Sequence, residues 1–220
     1  MSRTRLLSLS RSLGHRALPS TAYLDPLKAN DKSVSTSPKN LTDEQQWSLD
    51  SAIRVDQAGE VAANWIYKGQ LYILSRDPIA GPLIQDMWDQ EKKHLQVMDR
   101  LQLQHGARPT ILLELAKVAG FGLGAATAMM GPEAAMSCTE AVETVIGEHY
   151  DDQLREMEYL PQDHPSISLL KAVTREFRDD ELEHLHVAVD NHSQRAVGHV
   201  FLSSMIGAGC KFAIELCKRI

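Results

Sequence analysis

One short segment occurs twice in this chain, and the repeat limits what the chain can fold into. Asp89-Gln-Glu91-Lys-Lys-His94-Leu95-Gln-Val97 aligns without a gap on Asp179-Asp-Glu181-Leu-Glu-His184-Leu185-His-Val187. Upstream of each copy stands a glutamate followed seven residues later by a tyrosine, Glu60 with Tyr67 and Glu143 with Tyr150. The order along the chain is therefore Glu, Glu-x-x-His, Glu, Glu-x-x-His. On a helix, residues i and i+3 lie about 60° apart, so each Glu-x-x-His pair can reach a single point together.

The spacing of apolar residues from Thr42 onward is helical, and the breaks are plain. Thr42-Asp-Glu-Gln45 reads as a capping box opening a helix that runs to about Ser75. Asp77 to Pro82 stops it, and a second helix runs from about Leu83 to Gln104. Gly131-Pro132 opens a third that reaches about Tyr159, Pro161 and Pro165 close it, and a fourth runs from about Ser166 to His192. A last helix covers roughly Ala196 to Lys218. Four of these are long enough for a bundle of two antiparallel hairpins. With aromatics at 5% and few alternating Val/Ile/Thr runs, an all-β fold is disfavoured.

Together the hairpins offer four carboxylates and two imidazoles. Four carboxylates balance two divalent cations in an interior where unpaired charge is costly. This is the inventory of the ferritin-like dimetal bundles, which also carry a long crossover between hairpins. The expected fold is thus all-α, a ferritin-like four-helix bundle with a long apolar crossover and an extra C-terminal helix. The expected metal ligands are Glu60, Glu91, His94, Glu143, Glu181 and His184. Oxygen and imidazole donors favour iron or manganese over a thiolate-loving metal.

Other residues near the motif have competing readings. Glu140 shares a face with Glu143, and the Tyr150 match favours Glu143. Glu148 lies well around the helix, and His186 points away from His184. Asp89 and Asp179 precede the ligand pairs by two and are either supports for the histidines or plain surface acids. His149 and Tyr150 are candidates for lining an oxygen or substrate pocket, with core packing the alternative for Tyr150.

The crossover, Arg108 to Pro132, differs in kind from its neighbours. Its Val118–Pro132 stretch carries no charge, and neither does Ala196 to Cys210 in the last helix. Fifteen residues do not span a bilayer as a helix, which takes about 20. A one-sided membrane contact and a buried helix are the two readings. Gly120-Phe-Gly122-Leu-Gly124-Ala125 superficially matches a dinucleotide fingerprint, but it follows a helical pattern rather than a strand, so that match is rejected.

A net charge of -6 argues against a general nucleic-acid binder. Cys138, Cys210 and Cys217 form no CxxC and imply no disulfide framework. Met1 to Leu24 holds Arg3, Arg5, Arg11 and Arg16, several serines and no acid, the composition of a mitochondrial transit peptide. Asp25 to Asn40 reads as linker. The expected division is 1–40 presequence and linker, then 41–220 the bundle domain.

Ile53-Arg-Val-Asp-Gln-Ala-Gly-Glu60, Met87 to Leu95, Ser137-Cys-Thr-Glu-Ala-Val-Glu143 and Phe177 to His184 resemble the signature segments of the demethoxyubiquinone hydroxylase family. The resemblance covers about Leu49 to Ile220 and places the six ligands where the repeat does. Gln57 departs from the family's usual histidine, at a position that is not a ligand. The resemblance implies a di-iron monooxygenase that hydroxylates the ring of a demethoxyubiquinone or its quinol in ubiquinone synthesis, with dioxygen and NADH as reductant. Bridging carboxylates are expected from Glu91 and Glu181. The resemblance also implies a peripheral place on the matrix face of the mitochondrial inner membrane. Its expected partners are a polyprenyl quinone substrate, membrane lipid and a lipid-presenting protein, the ninth of coenzyme Q biosynthesis. An iron-storage or ferroxidase protein of the same fold is the alternative; it would share every ligand.

Overall fold

A computed structural model describes residues 18–220, all helix and connection, with no strand among them. The presequence expectation for the residues before Leu18 lies outside the described part. Two single turns, α1 (Thr21–Leu24) and α2 (Lys32–Ser35), precede the bundle helices α3 (Asp43–Leu74), α4 (Ala80–His105), α6 (Pro132–Glu156) and α7 (Pro165–Asp190). Between the hairpins runs α5 (Leu113–Met129), and α8 (His199–Cys217) closes the chain. This is the ferritin-like bundle that the repeat calls for.

The local signals act as expected, with two adjustments. Thr42 and Gln45 form a full capping box, each side chain accepting from the other's backbone N–H at 3.2 and 3.1 Å. The second helix starts earlier than its prolines suggest. Asp77 Oδ1 accepts from the N–H groups of Ile79 and Ala80, and Pro82 falls in the first turn, where the missing N–H has no helical partner to lose. The third helix ends at Glu156, with a 3₁₀ turn over Met157–Tyr159.

Parts of the stretch expected to be presequence and linker, on both sides of Asp25, contact the bundle. Tyr23 is buried in the same core as Leu49, Leu101 and Leu170, and its hydroxyl donates to Gln104 at 2.7 Å. Ser20 donates from both N–H and hydroxyl to the Glu176 carboxylate, and Gln104 donates to the carbonyls of Ser33 and Thr36. These bonds reach across the chain, which is why local composition alone reads as linker.

The crossover is a regular helix that lies along α3, while α8 lies along α6. Each hairpin thus carries a third, apolar helix on its first member, so the internal repeat is three helices long. The start of α5 meets the end of α8 over α3, where Leu112, Leu113, Ile214 and Cys217 pack with Val55 and Ala58.

The rejected fingerprint has a packing role here. Gly120 and Gly124 are buried one turn apart on α5, facing α3. A Cβ on Gly124 would sit 2.0 Å from the Ile66 carbonyl oxygen, and one on Gly120 would sit 2.7 Å from that of Ala62. Backbone meets backbone here, so neither contact can be relieved by a rotamer change. We expect Gly124→Ala to destabilise the protein by about 3 kcal/mol or more, the upper end for overpacking. Gly122→Ala, with nothing within 4 Å of the added carbon, should leave the melting temperature unchanged or raise it. Equal effects in thermal melts would contradict the close α3–α5 contact. Phe121, at first sight a free apolar side chain, packs between Trp65 and Tyr72.

Candidate metal centre

The four bundle helices bury their polar repeat residues in one layer between two apolar clusters. One cluster contains Leu49, Ile53, Val97, Tyr150 and Phe177; the other contains Tyr67, Ile84, Met87 and Met136. In the layer between them lie Glu60 from α3, Glu91 and His94 from α4, Glu143 from α6, and Glu181 and His184 from α7. Each is at most 3% exposed.

These six residues fall into two groups. Glu60, Glu91, His94 and Glu181 offer ligand atoms within 4.8 Å of one another, and so do Glu91, Glu143, Glu181 and His184. Glu91 and Glu181 belong to both, the pair expected as bridges. Both imidazoles turn Nδ1 inward. His94 Nδ1 is 3.4 Å from Glu181 Oε1, and His184 Nδ1 is 3.1 Å from both Glu91 Oε1 and Glu181 Oε2.

Charge in the layer is badly balanced without a cation. Burial first, and repulsion from neighbouring carboxylates second, push Glu60, Glu91 and Glu143 above the usual carboxylate range. For Glu181 burial works the same way, but the hydrogen bond from His184 and the nearby His94 imidazole hold it well below. Burial opposes the charged form of His184, yet its bonds to Glu181 and Glu91 push it up to about 11. The imidazolium protons stand in for positive charge that the carboxylates require. Glu60 Oε2 is buried with no hydrogen-bond partner, and the oxygen-rich donor set fits two divalent cations.

The repeat's tyrosines cross between hairpins. Tyr67 donates to Glu143 at 2.8 Å, and Tyr150 donates to Glu60 at 2.9 Å. Each tyrosine so holds one oxygen of the other hairpin's lone glutamate. His149 Nε2 is 3.1 Å from Asp56 Oδ1, while Gln153 donates to Asp56 Oδ2. Asn64 donates to the carbonyls of Glu60 and Glu91, tying α3 to α4 beside the carboxylate layer.

Not every candidate stays near the site. Asp89 is exposed and paired with Lys92, and Asp179 with Arg178; neither touches a histidine. Asp180 takes that role, its Oδ2 lying 3.0 Å from His94 Nε2. It directly precedes Glu181, so a helix rotation of about 100° turns it toward α4. Glu140 faces His199, Glu148 pairs with Lys211, and His186 is exposed.

A cavity of about 120 Å³ opens onto the layer. Glu60, Glu91, Glu143 and Glu181 form its floor, with His149 and Tyr150 beside them. Its walls are small and apolar: Ala62, Ala63 and Ile66 of α3, Val142 and Ile146 of α6, Ala116 of α5, and Ala213 and Ile214 of α8. The two added helices therefore flank the way in. Both also expose apolar side chains: Leu115 and Val118 on α5, and Val200, Phe201, Met205 and Phe212 on α8. With a mean hydropathy of 1.5, α8 is long and apolar enough to cross a membrane by length and composition, and only 11% of that stretch is buried.

Comparison with known proteins follows the same line. The family model described as ubiquinone biosynthesis protein COQ7 matches residues 47–217. A Bos taurus protein named NADPH-dependent 3-demethoxyubiquinone 3-hydroxylase, mitochondrial, is 43% identical over 91% of this chain and 93% of its own length. A Saccharomyces cerevisiae protein named 5-demethoxyubiquinone hydroxylase, mitochondrial, is 43% identical over 83% and 82%. The 3-demethoxyubiquinol 3-hydroxylase of Rhodospirillum rubrum is 42% identical over 78% of each chain.

Proposed function

Because this chain belongs to the family of ubiquinone biosynthesis protein COQ7, we propose that it is a monooxygenase that hydroxylates the ring of a demethoxyubiquinone or its quinol in ubiquinone synthesis. The observation that carries this reading is the apolar cavity whose floor is the carboxylate layer. A quinone ring is flat and apolar with polar edges, and such a cavity brings it to the ligands while keeping water out. An iron store would share the ligands but has no use for an apolar entrance.

Six residues are assigned as ligands: Glu60, Glu91, His94, Glu143, Glu181 and His184. Two iron ions bound there would supply the oxygen activation and electron storage that side chains lack. The chain supplies geometry and charge. Tyr67 and Tyr150 fix the lone glutamates, so their free oxygens point into the layer. His149, held by Asp56, lines the cavity and offers a hydrogen bond to a ring oxygen.

The reductant is a reduced nicotinamide. Relatives carry NADPH in their names, where the sequence resemblance implies NADH; product analysis with each, using demethoxyquinone and oxygen, decides between them. A mitochondrial place agrees with the relatives' names, and on this reading the presequence lies upstream of Leu18, since Ser20 and Tyr23 are already in the fold. The bundle domain then begins near residue 18. A lipid-presenting partner would bring the polyprenyl substrate.

The exposed faces of α5 and α8 are assigned to the inner-membrane surface on the matrix side. Phe201, Met205 and Phe212 lie on one stripe of α8 and are each more than half exposed. Each methylene that enters lipid contributes about 0.8 kcal/mol, so losing two phenyl groups should be measurable. We expect Phe201→Glu with Phe212→Glu to weaken co-sedimentation with anionic liposomes and to slow turnover of a long-tailed quinone more than of a short-tailed one. A double variant that sediments like the parent would remove the membrane assignment.

A further inference from the structure

The two histidines are not held alike. His94 Nε2 lies 3.0 Å from Asp180 Oδ2, and its ring stacks on Phe177 with centroids 3.9 Å apart and planes at 27°. His184 Nε2 is buried and has no hydrogen-bond partner, and its aromatic neighbour Tyr67 meets it edge-on at 6.2 Å. The sequence repeat shows the origin of the difference. Asp180 precedes Glu181 as Gln90 precedes Glu91, so one hairpin supplies a carboxylate to the other's histidine and receives none in return.

A histidine that binds metal through Nδ1 carries its proton on Nε2. Where a carboxylate accepts that proton, the tautomer and ring orientation are fixed and the inner nitrogen becomes a better donor. Where nothing accepts it, binding leaves a buried N–H unpaired. We propose that the two metal positions differ in affinity, the one built on Glu60 and His94 being the tight one because Asp180 anchors its histidine. Asp180 is thus a positioning residue, and the inference rests on the dimetal reading above.

The test is titration of cobalt(II) into the full chain stripped of metal, read by calorimetry and by the visible absorbance of the bound ion. The parent should bind two ions in two classes at least 10-fold apart. Asp180→Ala should weaken the tight class about 10- to 100-fold, the range for lost support of a ligand, and so merge the classes. Asp180→Asn, which keeps an acceptor but not the charge, should fall between. Thermal melts of the metal-free proteins separate this from misfolding, and the Asn variant serves if the Ala variant does not fold. Two equal affinities in the parent, or two classes unmoved by both folded variants, would overturn the proposal. Absence of any cobalt binding would overturn the dimetal reading itself, and the proposal with it.

Discussion

Replacing Glu181 with alanine should strip the protein of metal and of activity together. Glu181 is the acid that both imidazoles approach with Nδ1, at 3.4 Å for His94 and 3.1 Å for His184, and with Glu91 it belongs to both four-residue groups. Its loss removes a donor from both positions and leaves His94 and His184 without their closest shared partner. The parent, reconstituted anaerobically, should hold about two irons per chain. The variant should hold fewer than one and turn over quinone at background. A second readout needs no turnover: an ion that binds only the folded chain stabilises it by about 4 kcal/mol at a thousand times its dissociation constant. The parent's melting temperature should therefore rise with metal, and the variant's should not. Glu140→Gln is the control, since Glu140 faces His199 at 3.8 Å rather than the ligand layer. A Glu181→Ala protein with full iron content, or a Glu140→Gln protein without it, would show that the ligand set is misassigned.

The buried Glu/His layer is legible in the sequence because a polar layer shared by two hairpins is written twice, once per hairpin, at helical spacing. The bundle helices are legible for a related reason: each has one apolar and one polar face, and a capping box, prolines or glycines mark the breaks between them. What escaped lacks one of these signals. On α5 the residues that meet α3 most closely are the glycines Gly120 and Gly124, while Leu115 and Val118 meet solvent. From Val118 onward polarity is uniform around the helix, so its period carries little information. The kinship of α5 and α8 shows only when both are seen lying on the first helix of a hairpin. Residues 18–37 are held by scattered long-range contacts such as Ser20 to Glu176, which leave no local pattern. The repeat points to Asp89 and Asp179, which match in both copies, and not to Asp180. The support for His94 comes instead from a position where the repeat is broken, Gln90 against Asp180. The very departure that gives the two histidines different surroundings also hides the residue responsible.

Gly59 offers the sharpest separation between the cavity and the metal. It sits in the middle of α3, next to Glu60, and lines the cavity; a Cβ placed there meets nothing within 4 Å. Alanine should therefore fit without strain. A helix-interior glycine costs about 0.5–1 kcal/mol relative to alanine, so Gly59→Ala is expected to raise the melting temperature slightly and keep turnover. Phenylalanine at the same position starts from the same open space but carries a ring into a cavity of about 120 Å³. That ring competes with the substrate's. Displacing a reacting ring by even 1 Å can cost about 100-fold, so Gly59→Phe should reduce turnover by at least that much. Long-tailed and short-tailed quinones should suffer equally, unlike in the α8 double variant, because the block lies beyond any membrane entrance. Iron content should remain at the parent's value, since none of the six ligands changes. A folded, iron-loaded Gly59→Phe protein that works like the parent would show that the ring approaches the carboxylate layer by another route.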